Sequence, residues 1–225
     1  MGQLINLTAA DGFTFPAYVA QPAGQPKGGL VVLQEIFGVN AHIRAVADGY
    51  AADGYFVVAP STFHRVKADV ELGYAEADMQ AGMALKAAVE ALPAAGVMPD
   101  IQAAIDHAAQ GGKVGILGYC WGGRTAWVYA RHNSKLNAAV AYYGLLEGLK
   151  TPDLRPEDPI DFAGEIKVPV LGLYSGIDAF VKQETIAKMR GLINKGGSGS
   201  EIVVFPNVDH GFNADYRPTY DKAAA

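Results

Sequence analysis

Residues 113–123 read KVGILGYCWGG, and the fold turns on how they are read. Residues 113–117 form a short apolar run of strand character that breaks at Gly118 and leads into a helical pattern at residues 123–132. A strand, then G-x-nucleophile-x-G, then a helix is the setting of a nucleophile elbow, with Cys120 in the nucleophile position. The glycines have a steric reason. The turn is sharp enough to hold its central residue in strained φ/ψ, and side chains two positions either side would collide with neighbouring backbone. Cys120 also stands at the amino end of the helix, where the dipole and N–H groups favour thiolate over thiol. The competing reading is a buried structural cysteine.

Outward from this point, short β-branched or aromatic runs alternate with longer Ala-rich ones, which predicts a mostly parallel α/β sheet with helices on both faces. Strands are expected at residues 29–34, 55–59, 113–117, 137–142, 168–174 and 201–205, and helices at 41–52, 73–91, 99–109, 123–132 and 181–194. An antiparallel hairpin should precede them, from residues 4–8 and 13–20 joined through Asp11-Gly12. With no repeat and no linker, residues 1–225 are expected to form a single domain. Residues 144–167 hold three prolines and nine charged residues, and read either as an active-site rim or as a solvated detour.

Ligands of such a sheet bind outside the carboxyl ends of the strands, so the residues just after each strand matter most. An elbow of this kind is followed in the chain by an acid and then a histidine. Asp178 follows the expected strand at 168–174, and His210 follows the one at 201–205. His42, His107 and His132 fall within helical patterns, and His64 precedes the cysteine. Asp209 is the rival acid, but a residue adjacent to His210 is poorly placed to reach Nδ1 from behind the ring, so Asp178 is preferred. The oxyanion hole should combine the N–H of Trp121 with one from the loop after an earlier strand, residues 34–38. Taken alone, Gln34-Glu35 reads as a solvated strand end that could pair with Arg124.

Composition narrows the function further. The chain has 225 residues, 50% of them hydrophobic, and 18 basic against 23 acidic side chains give a net charge of −5, so nucleic acid is not an expected partner. The longest run without Asp, Glu, Lys or Arg, residues 12–26, is broken by three prolines and cannot span a bilayer, so no membrane association is expected. A lone cysteine and a start without the basic and apolar regions of a signal peptide point to a reduced, cytoplasmic protein. The five histidines have no metal-ligand spacing, and no Lys-Ser/Thr follows the glycines of residues 118–123, so neither metal nor other cofactor is expected. Phe37, Phe63, Trp121, Tyr143 and Phe180 lie beside the expected mouth and suggest an apolar pocket for a small planar acyl group.

Four motifs in order, QEIFG at 34–38, GYCWGG at 118–123, the Asp178 loop and the final HGF at 210–212, resemble the dienelactone hydrolase (carboxymethylenebutenolidase) family. The likeness runs from about residue 12 to residue 217. It implies an α/β-hydrolase fold, a triad of Cys120, Asp178 and His210, oxyanion donors at the Ile36 and Trp121 amides, and action on a small ester or lactone; a monomer is expected. It also gives Glu35 a role: in the family the corresponding carboxylate takes the proton of the resting cysteine when substrate binds, a task suited to a buried carboxylate near a thiol. The chain departs from the family after His210, where Gly211, Phe212, Asn213 and Ala214 stand and no arginine occurs before Arg217. Arg65, Arg124 and Arg217 are then the candidates for holding a substrate carboxylate. A reading of another class, a ligand-binding or thiol redox protein on the same fold, is opposed by the intact elbow and triad.

Overall fold

A computed structural model describes residues 2–93, 96–132, 135–148 and 157–225. The elements run β1 (Gln3–Thr8), β2 (Thr14–Ala20), β3 (Gly29–Leu33), α1 (Ala41–Ala52), β4 (Phe56–Pro60), α2 (Glu76–Glu90), α3 (Met98–Ala108), β5 (Val114–Tyr119), α4 (Trp121–His132), β6 (Leu136–Tyr142), β7 (Val170–Ser175), α5 (Gln183–Gly196) and β8 (Glu201–Phe205). The eight strands form one sheet in the order β1-β2-β4-β3-β5-β6-β7-β8. β1 and β2 are the antiparallel hairpin, with Gln3 opposite Val19 and Thr8 opposite Thr14. β2 is also antiparallel to β4, whereas β3 with β4, β6 with β7 and β7 with β8 are parallel. By its contacts the chain falls into two compact units, residues 1–116 and 117–225.

In the first unit the parallel strands read as unbroken apolar runs because both faces are covered: Val31, Val32, Leu33, Val57, Val58 and Ala59 are all buried. α3 begins with proline in its first turn, where a missing N–H costs nothing, and buries Ile101, Ala104, Ile105 and Ala108 at helical spacing. Gly29 lets β3 approach α3, since a Cβ there would strike the Ala108 carbonyl. Asp100 of α3 takes Arg65 with two hydrogen bonds, Nε at 2.8 Å and Nη2 at 2.6 Å, and Arg65 Nη2 also lies 2.8 Å from Asp11. α2 starts three residues later than its pattern suggests, because Ala75 is extended and its N–H donates to Asp78, which caps the helix there.

In the second unit α4 starts directly after Cys120, and Gly123 brings it against β6, where a Cβ would strike the Tyr142 carbonyl. Trp127 Nε1 donates to Tyr174 Oη at 3.0 Å, and that hydroxyl donates to the Gly144 carbonyl at 2.9 Å. Burial pushes the Tyr174 phenol well above its ordinary range, so it remains a donor. Within residues 144–167 the described part is packed rather than solvated: Asp158, Ile160, Phe162, Ala163 and Ile166 are buried, and Arg124 lies 2.9 Å from Asp158. Residues 149–156 of that stretch lie outside the described residues. α5 begins two residues after its pattern, because Asp178 captures the N–H groups of Phe180 and Val181, and it ends where Gly197 turns left-handed at φ +68°. No helix among the described residues is long and apolar enough to cross a membrane.

Candidate active site

In the second unit β5 delivers Cys120 at a left-handed φ of +53°, a conformation that costs a non-glycine residue of order 1–3 kcal/mol and is held by its surroundings. Its N–H donates to the Tyr142 carbonyl at 3.0 Å, and its carbonyl accepts the Arg124 N–H at 3.1 Å as α4 begins. A side chain at Gly118 would collide with the Gly122 carbonyl, and one at Gly144 with the backbone of Gly123 and Arg124. The turn is therefore closed by glycines on both sides and by a third from the end of β6. Trp121, 7% exposed, is the first residue of α4 and sits at the positive end of its dipole.

Asp178 and His210 arrive from the loops after β7 and β8. His210 Nδ1 lies 2.9 Å from Asp178 Oδ2, while Asp178 Oδ1 accepts the N–H groups of Phe180 at 2.7 Å and Val181 at 3.2 Å. The carboxylate is thus fully enclosed and each of its oxygens has a donor. Asp209 is occupied otherwise: its Oδ1 accepts the His210 backbone N–H at 2.6 Å, and its carbonyl accepts Ser175 Oγ at 3.0 Å. The His210 ring also interacts with the Cys120 side chain, which helps raise its pKa. Burial alone would push the imidazole below its ordinary value of 6.5, but its interactions with Cys120 and Asp178 outweigh it and raise the pKa to about 10.

Two aromatic rings hold this imidazole. Tyr143, fully buried, lies with its centroid 5.0 Å away, and Phe180 meets it edge-on at 5.0 Å while remaining 66% exposed. Gly211, at φ +80°, has a reason that the sequence did not disclose: a side chain there would run into the guanidinium of Arg217. Arg217 therefore lies beside the residue that follows His210.

The first unit contains the loop after β3. Glu35, Ile36 and Phe37 are 1%, 4% and 1% exposed, which corrects the reading of Glu35 as a solvated strand end. Residues 70–82 enclose it: the Leu72 N–H donates to the Phe37 carbonyl at 2.9 Å, Gly38 at φ +81° leaves room for the Val70 carbonyl, and Gly82 of α2 lies bare against the Ile36 carbonyl. Phe37 packs on Tyr74 with centroids 4.6 Å apart, and Phe63 is buried in the same unit. Of the three candidate cations, Arg65 is bound by Asp100 and Asp11, and Arg124 by Asp158. Among the described residues, no group of three or more His, Cys, Asp and Glu could hold a metal ion.

The model of the dienelactone hydrolase family matches residues 15–225. A Salmonella typhi protein named "Putative carboxymethylenebutenolidase" is 40% identical over 228 residues, covering 98% of this chain and 82% of the relative. Its namesake in Escherichia coli K12 is 38% identical over 222 residues, covering 96% and 79%. The crystal structure of "Putative Dienelactone Hydrolase" from Klebsiella pneumoniae superposes with a TM-score of 0.87 at 36% identity, covering all of this chain and 93% of that one. An acylaminoacyl peptidase shares the fold alone, with a TM-score of 0.74 at 14% identity over 95% of this chain and 38% of that one.

Proposed function

This chain belongs to the dienelactone hydrolase family and is a hydrolase of lactone or ester bonds; from that premise we propose that it works through a cysteine nucleophile on small activated esters and lactones. The observation that carries the reading is the line Asp178, His210, Cys120, with the cysteine strained at φ +53° on its elbow. The Cys120 sulfur attacks the carbonyl carbon, and the electron pair of the C=O moves onto oxygen. The amides of Trp121 and Ile36 receive that charge. Collapse expels the alkoxide or enolate, which takes a proton from His210, and leaves a thioester on Cys120. Water then attacks the thioester with His210 as base, releasing the acid and restoring the thiol. Asp178 keeps the imidazole oriented through its Nδ1 and stabilises the charged ring.

Glu35 is the base that makes the thiolate when substrate binds. What supports this is its burial and its family position; an exposed carboxylate would be fully ionised and solvated, and a poorer proton acceptor. Activated enol or aryl esters suit the site best, because a good leaving group lets the intermediate collapse towards the thioester. Alkylation of Cys120 to one equivalent should abolish release of p-nitrophenol from p-nitrophenyl esters and hydrolysis of cis- and trans-dienelactone alike. Full turnover after alkylation refutes the mechanism.

A further inference from the structure

The second unit carries a cleft of about 730 Å³ that the steps above leave unused. It is walled by the segment after β6, by residues 158–161 and by the start of α5, and Phe180 belongs to its lining. That same ring stands edge-on to His210 at 5.0 Å, so Phe180 links the cleft to the imidazole.

The position assigns the cleft to one half of the substrate. The leaving oxygen must come within hydrogen-bond reach of His210, which supplies its proton, and the atoms attached to that oxygen continue past the ring, where Phe180 stands. A volume of this size is typical of a whole ligand site, about 300–1,000 Å³, and the alcohol half of a small lactone is tethered within the acyl ring and would leave it empty. An open-chain ester has a separate alcohol to put there.

The walls say which alcohol. Leu146, Ile160 and Val181 are apolar, but Glu147 and Asp161 offer carboxylates, and Lys182 and Lys188 have no side-chain partner among the described residues. The Glu147 carboxylate already accepts the Thr185 hydroxyl, which fixes its direction and leaves lone pairs for a second donor. A hydrocarbon tail would strip water from these charges and give nothing back. Neighbouring hydroxyl groups both donate to carboxylates and accept from ammonium groups, while the C–H face of their carbon frame covers the exposed Phe180 ring.

We propose that this cleft binds the alcohol half of the substrate and that the alcohol is polyhydroxylated, so that the enzyme hydrolyses open-chain acyl esters of sugars or polyols. The proposal rests on the cysteine hydrolase reading above. The balance is that of ester hydrolysis: the acyl–oxygen bond breaks, the acyl group passes to Cys120, the alcohol leaves with a proton from His210, and water returns Cys120 and the free acid.

The test compares acetates of one acyl group, 6-O-acetylglucose and 1-acetylglycerol against hexyl acetate, with phenyl acetate as reference. We expect kcat/KM for at least one polyol ester to exceed that for hexyl acetate by about tenfold, as a site built for hydroxyl groups discriminates against their absence. In the Lys182→Met/Lys188→Met double variant, the ratio of polyol ester to phenyl acetate should fall about tenfold. The more reactive of the two polyol esters distinguishes a sugar from an open-chain polyol. Hexyl acetate equal to or better than both polyol esters, or a ratio untouched by the double variant, overturns the alcohol site while phenyl acetate turnover keeps the hydrolase reading intact. Phenyl acetate turnover that survives alkylation of Cys120 overturns the cysteine reading, and the proposal with it.

Discussion

Asp178 and Asp100 are both enclosed carboxylates, 0% and 1% exposed at the side chain, and each grips a basic partner, His210 Nδ1 at 2.9 Å and Arg65 Nη2 at 2.6 Å. Their surroundings separate them. Arg65 is held twice by Asp100 and again by Asp11, lies over Phe13 with its guanidinium carbon 4.4 Å from the ring centre, and its pKa is raised further above an already high value by those carboxylates. It has no proton to give at any working pH. His210 spends one nitrogen on Asp178 and also interacts with Cys120. A buried pair that is complete on itself fixes a fold; one that leaves a titratable atom facing a third group can move a proton.

The sharpest way to break this contrast is to exchange the outcomes of the two carboxylates. Cys120→Ala should give a folded protein with no measurable turnover. Asp178→Asn should lower kcat by about 10³–10⁴-fold, with thermal unfolding little changed, since the ring loses its tautomer control but keeps a hydrogen bond. Asp100→Ala should do the opposite: kcat per folded molecule holds, while stability falls by about 3 kcal/mol, because a buried pair has lost a partner and Asp11 retains part of the charge balance. Kinetics and denaturant unfolding on the three variants check both halves. If Asp100→Ala costs kcat as Asp178→Asn does, the division between structural and chemical pairs fails. Asp209→Asn should cost much less than Asp178→Asn, because Asp209 holds a backbone N–H rather than the ring.

Glu35→Gln tests a third buried carboxylate, in the first unit. It preserves shape and hydrogen bonding but removes the base, so the acylation burst should slow by about a hundredfold, the contribution typical of a general base, while deacylation changes little. An unaltered burst reduces Glu35 to a structural residue and leaves His210 as the only base.

These pairs also mark what the sequence discloses. The elbow was legible because glycine spacing, a preceding strand and a following helix all sit within eleven residues, and the preference for Asp178 over Asp209 followed from adjacency alone. The helix starts at Glu76 and Gln183 were not, because each is set by one aspartate, Asp78 and Asp178, capturing backbone N–H groups that periodicity does not register. The burial of Glu35 was hidden as well. Two polar residues at a strand end have no pattern, and what encloses them comes from residues 70–82. Arg217 beside Gly211 is a contact made by a positive φ, and no spacing rule reports it.

A smaller effect concerns pH. The His210 pKa lies at about 10, above its ordinary 6.5, so the ring binds its proton more tightly in the folded state. Its contribution to stability is therefore fully present below about pH 6.5 and is lost as pH rises through about 10. The stability difference between wild type and His210→Gln should narrow over that interval, and the imidazole resonances of His210 should titrate near the upper end. Asp178→Asn should move the titration down. A wild-type midpoint close to 6.5 would mean that Cys120 and Asp178 do no more than cancel burial.

The smallest expected effect is on substrate charge, and it places a third kind of cation beside the two compared above. A dienelactone carries a carboxylate, and Arg65 and Arg124 are already committed to Asp100 and Asp158. Arg217 lies next to Gly211, one residue from His210, in space that any side chain at position 211 would take. The sequence, with no arginine closer to the histidine, leads us to expect neutral aryl esters to compete with dienelactones within about tenfold in kcat/KM, or about 1.4 kcal/mol. Arg217→Met should then change the ratio between anionic and neutral substrates by no more than that factor. A preference of a hundredfold or more for the anionic lactone, lost in Arg217→Met, would show instead that this guanidinium reaches the substrate. Gly211→Ala offers an independent check, because its Cβ must displace the Arg217 guanidinium: if Arg217 serves the substrate carboxylate, the alanine variant loses the anionic preference while turnover of neutral esters falls less.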